Sequence, residues 1–123
     1  MEQTRTVLII EHDQAAADSL AALCRQLGLQ PFVAHDSATG LSLAARERPR
    51  VILSDLAVPG LDGFEIARRV RSDHTLDGTT VIAVTEHAPK AAAANQVTFD
   101  DYVLKPVSLD NVQQVIGKYV TLS

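Results

Sequence analysis

Short runs of aliphatic and β-branched residues recur along this chain roughly every 20 to 30 residues, each followed by a polar corner and then a stretch with helical spacing. Few architectures accommodate that repeat. Val7-Leu8-Ile9-Ile10, Val51-Ile52-Leu53 and Val81-Ile82-Ala83-Val84 are continuous apolar runs without polar alternation, as expected of strands buried on both faces of a parallel sheet. Pro31-Phe32-Val33-Ala34 and Tyr102-Val103-Leu104 are weaker and predict shorter or edge strands. Pro31 favours an edge, because proline has no N–H to give to a central ladder.

Helical spacing fills the intervals. Ala16, Leu20, Leu23 and Leu27 share one face of a helix that Asp13 can cap and Gly28 can end. Ser37 is a plausible cap for a second helix through Leu41, Ala44 and Ala45, stopping before Pro49. Phe64, Ala67 and Val70 mark a third helix opening after Gly63, and Leu109, Val112, Ile116 and Tyr119 a last one following Pro106. Ala91 to Ala94 predict a further short helix, limited to two or three turns by Pro89, Asn95, Val97 and Thr98. Five βα units joined by right-handed crossovers fold most economically into a doubly wound α/β sandwich. No linker, low-complexity tract or repeat interrupts the chain, so residues 1–123 are expected to form one domain.

Composition excludes several classes. Val, Leu, Ile and Phe supply 36 of 123 residues, far above the roughly 20% below which disorder is expected. No apolar run approaches the ~18 residues of a membrane span, and Met1 to Arg5 carry no secretory leader, so a cytoplasmic protein without membrane association is expected. The single cysteine, Cys24, excludes an internal disulfide and a zinc site built on several thiolates. A net charge of −4 argues against direct nucleic-acid binding, which needs clustered cations. The basic groups Arg46, Arg48, Arg50 and Arg68, Arg69, Arg71 read as solvated helix ends or as partner contacts.

In doubly wound folds, functional groups lie beyond the carboxyl ends of the strands. That rule selects Glu11, His12 and Asp13 after the first strand, Asp55 after the third, Thr85 and Glu86 after the fourth, and Lys105 after the fifth. Two carboxylates within about 4 Å repel by roughly 4 kcal/mol at an effective dielectric near 20, so such a rim calls for a cation or a proton. Lys105 or a hard divalent metal can supply the charge. A carboxylate beside a cation, with an amine and a hydroxyl to hold three equatorial oxygens, is equipped to take a phosphoryl group as an acyl phosphate.

The segment from Ile52 through Ser54-Asp55-Leu56-Ala57-Val58-Pro59-Gly60-Leu61-Asp62-Gly63 to Glu65, together with Thr85 and Tyr102-Val103-Leu104-Lys105-Pro106, resembles bacterial two-component response-regulator receiver domains of the chemotaxis-receiver type. The similarity spans essentially the whole chain. It implies a flavodoxin-like parallel sheet of five strands in the order 2-1-3-4-5 with five helices. It further implies Asp55 as phosphoacceptor for a sensor histidine kinase or a phosphotransfer protein, Lys105 and Thr85 as phosphoryl-binding groups, and Tyr102 as an aromatic that turns inward on activation. Glu11, Asp55 and the backbone carbonyl of Ala57 would hold Mg2+, with His12 an atypical neighbour. Pro59 and Gly63 would shape the loop, and Lys105-Pro106 would be a cis bond. Such a protein is a signalling phosphoacceptor that assists its own phosphorylation and dephosphorylation rather than an enzyme. It would act on a downstream protein partner as a monomer or weak dimer, either alone or as a receiver excised from a larger regulator or hybrid kinase.

The chain departs from that family at three places. His12 stands where a second acid is usual, and three consequences are open: weaker magnesium binding, a protonated imidazole replacing the cation's charge, or a transition-metal site. Glu86 follows Thr85 where a small residue is usual. The stretch from Thr85 to Lys105 is about two residues short of common receivers, with Thr98-Phe99 before Asp100 in place of a small pair. These departures support an alternative, a constitutive interaction module independent of phosphorylation. A flavodoxin-like cofactor binder or small phosphatase fits less well, since no Gly-rich cradle follows the first strand and no acid lies two places beyond Asp55.

Overall fold

Each apolar run becomes a strand whose two faces bury alternate residues. The computed structural model describes residues 5–60, 62–87 and 99–122. Among these residues, β1 (Thr6–Ile10), β2 (Gln30–Ala34), β3 (Val51–Asp55), β4 (Thr80–Thr85) and β5 (Asp101–Leu104) form one parallel sheet in the order β2-β1-β3-β4-β5. The Pro31 strand is an edge, as expected. Four of the five expected helices are described: α1 (Gln14–Gln26), α2 (Ser37–Glu47), α3 (Gly63–Ser72) and α4 (Leu109–Ile116). The helix expected around Ala91 to Ala94, and Thr98, lie outside the described residues.

Period-two alternation divides the core. Val7, Ile9, Leu53 and Ile82 pack with Leu20 and Cys24 of α1 and Val112 and Ile116 of α4. Leu8, Ile10, Ile52 and Val81 turn to the other face and meet Ala44 of α2 and Ile66 and Val70 of α3. Each fully buried Ile or Leu stabilises the fold by roughly 1.5–3 kcal/mol.

Helix starts differ from expectation by one residue at two places. Asp36, not Ser37, caps α2: its extended backbone lets a carboxylate oxygen accept the Thr39 N–H at 2.7 Å. Ser37 is the buried first helical residue, and its N–H donates to the Pro59 carbonyl. Asp62 caps α3 by accepting the Glu65 N–H at 2.9 Å, which draws Gly63 into the helix. Asp13 caps α1 as expected, and Gly28 follows that helix at φ +81°. Leu109, expected on the buried face of the last helix, is 41% exposed, while Val112 and Ile116 are buried. Tyr119 lies beyond the end of α4, where its hydroxyl donates to Asp101 Oδ2 at 3.0 Å.

Arg48 ends α2 in the left-handed region, at φ 47° and ψ 62°, a conformation that costs a residue with a Cβ but not glycine. Its side chain is exposed, so Arg48→Gly is expected to raise unfolding stability by about 0.5–1 kcal/mol, after allowing for the greater freedom of glycine in the unfolded chain. Urea denaturation measures the difference. An unchanged or lower midpoint contradicts the strain argument.

Candidate functional site

Strand register sets the site. Ile10 pairs with Ser54, Asp55 with Val84, and Thr85 with Leu104, so β1, β3, β4 and β5 end within two residues of one another. Glu11 follows β1, with its N–H donating to the Ala34 carbonyl, and Asp55 is the last residue of β3. Lys105 follows β5, and its N–H donates to the Thr85 carbonyl at 2.7 Å. The Lys105–Pro106 peptide is cis.

These ends bring three charged groups together. Lys105 Nζ stands 3.0 Å from Asp55 Oδ2 and 3.6 Å from Glu11 Oε1. The other oxygens also have partners: Asp55 Oδ1 accepts the Ala57 N–H at 3.2 Å, and Glu11 Oε2 accepts the Asp13 N–H at 3.0 Å. Glu11 is only 5% exposed, so its charge is the most costly of the three. Burial, helped by the neighbouring Asp55 carboxylate, pushes the Glu11 carboxyl above its ordinary value. Burial also works against Asp55, but the hydrogen bonds from Lys105, the Ala57 N–H and Glu11 outweigh it and hold Asp55 below its ordinary value. Burial pulls the Lys105 ammonium down, whereas Asp55 and Glu11 hold it above the usual lysine range. Of the two carboxyls, Asp55 is the one whose surroundings favour the ionised form, the form a nucleophile requires.

A raised native pKa on Glu11 contributes stability that is present below the ordinary carboxylate value and lost as pH rises through the native one. Glu11→Gln keeps an acceptor for the Asp13 N–H and offers an amide donor toward Asp55, without the buried charge. Its thermal midpoint should match the wild-type value near pH 4 and exceed it by a few degrees at pH 7. Equal midpoints at both pH values contradict the desolvation argument.

The remaining candidates take different places. Thr85 is half-buried at the end of β4, and its Oγ1 accepts the His87 N–H at 3.4 Å. Tyr102 is exposed on β5, and its backbone N–H donates to Asp101 Oδ1 at 2.8 Å. Pro59 joins the loop to α2 through its carbonyl, and Gly63 packs against the Asp55 and Leu56 backbone. Glu86 lines a cleft of about 570 Å3 with Glu11, Lys105 and Pro106. His12 is exposed and forms no hydrogen bond or ion pair with any described residue. Lys105, rather than an imidazole, supplies the positive charge between the carboxylates.

Among the described residues no three His, Cys, Asp or Glu side chains converge as a metal cluster. Two carboxylates and the nearby Ala57 backbone nevertheless offer hard oxygen donors, the kind magnesium takes while keeping several waters. Two supporting contacts were missed from sequence. His35 Nδ1–H donates to the Glu11 carbonyl at 2.9 Å, and Asn111 bonds the backbone around Lys105. The spacing Ser108-Leu109-Asp110-Asn111 was a readable signal for the second, because it places an amide at the third position after a cap.

A family model described as the response regulator receiver domain matches residues 7–117. Protein PilH of Pseudomonas aeruginosa is 30% identical, over 90% of this chain and 93% of its own length. Response regulator MprA of Mycobacterium avium is 30% identical over 86% of this chain but 46% of its own, so the chain spans about half the length of that relative. Among solved structures, the receiver domain of the sensor histidine kinase PA1611 of Pseudomonas aeruginosa, with a magnesium ion coordinated in its active-site cleft, is 25% identical. It superposes with a TM-score of 0.84 over 94% of this chain and 96% of its own.

Proposed function

Because the chain belongs to the response regulator receiver domain family of two-component signalling, we propose that Asp55 is its phosphoacceptor and that phosphorylation there switches its contacts with a protein partner. The 3.0 Å contact between Lys105 Nζ and Asp55 Oδ2 carries this reading. An Asp55 carboxylate oxygen attacks phosphorus, the N–P bond of a phosphohistidine breaks, and the imidazole nitrogen leaves with the bonding pair and takes up a proton. The donor is a sensor histidine kinase or a phosphotransfer protein.

The acyl phosphate carries up to about two negative charges where the carboxylate carried one, a net gain of about one beside Glu11. Lys105 then pairs with the phosphoryl oxygens instead of the bare carboxylate, and the Thr85 hydroxyl donates to one of them. Movement of Thr85 and reorientation of Tyr102 on β5 carry the change to the surface beside α4. Glu11, Asp55 and the Ala57 carbonyl would hold Mg2+, and that ion, when bound, neutralises negative charge between carboxylates and phosphoryl oxygens. With His12 in place of a second acid, the affinity for magnesium is lower than that of a site with three carboxylates.

Intact mass after exposure to acetyl phosphate, with and without magnesium, tests the reading. A gain of one phosphoryl group is expected. No gain with any divalent ion overturns it and leaves a constitutive interaction module.

A further inference from the structure

Lys105 sits in a turn held at three backbone points, two of them by one side chain. Its own N–H is bonded to the Thr85 carbonyl, which fixes the turn to β4. The carbonyls on either side of it, those of Leu104 and Pro106, accept from Asn111 Nδ2 at 3.0 and 3.4 Å. The far end of the same amide is also fixed, since Asn111 Oδ1 accepts the Ser108 N–H at 2.8 Å and the Asn111 N–H donates to Ser108 Oγ at 3.1 Å. The amide cannot be turned over: the Ser108 N–H only donates, and the two carbonyls only accept.

Capping α4 needs the oxygen of this side chain and not its nitrogen. The two bonds from Nδ2 therefore add nothing to the cap, and both reach the turn that carries the ammonium. Asn111 is well anchored for such a task, because Val112, its neighbour on α4, is fully buried in the core.

We propose that Asn111 is a positioning residue for Lys105: by bonding the carbonyls on both sides of it, Asn111 sets where the ammonium stands relative to Asp55. The inference rests on Asp55 and Lys105 forming the phosphoryl site. A lysine has a long, flexible stem, so the placement of its charge depends on how firmly its root is held. Displacements near 1 Å at a reacting centre are enough to slow chemistry severely.

Asn111→Asp separates this role from helix capping. The carboxylate still accepts the Ser108 N–H, and an acid in the first turn suits the helix dipole, but it has no donor for Leu104 or Pro106. The expected result is a folded protein whose rate of phosphorylation by acetyl phosphate falls about tenfold. A second measurement needs no phosphoryl transfer: a crystal structure of unphosphorylated Asn111→Ala, which adds no charge. Lys105 Nζ should leave its 3.0 Å contact with Asp55 Oδ2. A folded Asn111→Asp phosphorylated at the wild-type rate, or a Lys105 Nζ that keeps its wild-type place in folded Asn111→Ala, overturns the inference. Wild-type protein that takes up no phosphoryl group instead overturns the Asp55 assignment, and the position of Lys105 still decides the role of Asn111.

Discussion

Asp55→Asn should yield a folded protein that gains no mass from acetyl phosphate under conditions that fully modify the wild type. The amide can keep an acceptor for Lys105 Nζ and for the Ala57 N–H, so the surroundings have little reason to rearrange. What it lacks is an ionised oxygen able to form the acyl phosphate. Stability adds a second signature. Lys105, the Ala57 N–H and Glu11 hold the Asp55 carboxyl below its ordinary 3.8 despite burial. Its ionised form therefore contributes stability that is present above that value and lost as pH falls through the native pKa. Asp55→Asn should accordingly be somewhat less stable than wild type at pH 7, with the gap closing below about pH 4. A phosphoryl group that persists on Asp55→Asn moves the acceptor elsewhere, whatever the stability shows.

Gly63→Ala is expected to be the most damaging small change near the site. A Cβ there would lie 2.7 Å from the Asp55 carbonyl oxygen and 2.8 Å from Leu56 Cα. Both are backbone atoms, which cannot rotate aside as a side chain would. The Gly63 N–H also donates to the Leu56 carbonyl at 3.0 Å, so α3 cannot retreat without losing that bond. Overpacking of this kind costs about 1–3 kcal/mol. Because the displaced atoms belong to the peptide after the acceptor, the phosphorylation rate should fall as well. Urea midpoints and acetyl phosphate kinetics on the same sample test both statements. Wild-type stability in Gly63→Ala means the entry to α3 slides freely, against the close packing argued here.

Most of the sheet was legible in the sequence because buried parallel strands write themselves as unbroken aliphatic runs, as in Val7 to Ile10 and Val81 to Val84. The edge position of β2 followed from Pro31 alone. Helix starts were harder. At Asp36-Ser37 both residues are good caps, and the choice depends on which one has extended backbone, which composition does not encode. Leu109 fits the apolar spacing of α4, yet it stands in the first turn, beyond the area that β5 and α1 cover. At the site, Glu11, Asp55 and Lys105 were selected by the rule on strand ends, and their meeting depends on strands ending within two residues of one another, a matter of register. The exposed position of His12 was not legible, because a residue just after a strand can turn either way. The Nδ2 contacts of Asn111 depend on the path of the turn from Leu104 to Pro106, which no local pattern specifies.

The carboxylates that open α1, α2 and α3 have an effect beyond ending unpaired N–H groups. Asp13, Asp36 and Asp62 all stand on the rim where Glu11, Asp55 and Glu86 also lie, and Lys105 is a cation among them. At physiological ionic strength such charges are felt over a Debye length of about 8 Å. If Asp55 is the acceptor as proposed, a small anionic donor would approach against a repulsive collar, whereas a protein presenting its phosphohistidine within a ring of lysines or arginines would be drawn in. On the proposed phosphotransfer, discrimination between a small metabolite and a protein donor would be built partly into how the helices begin.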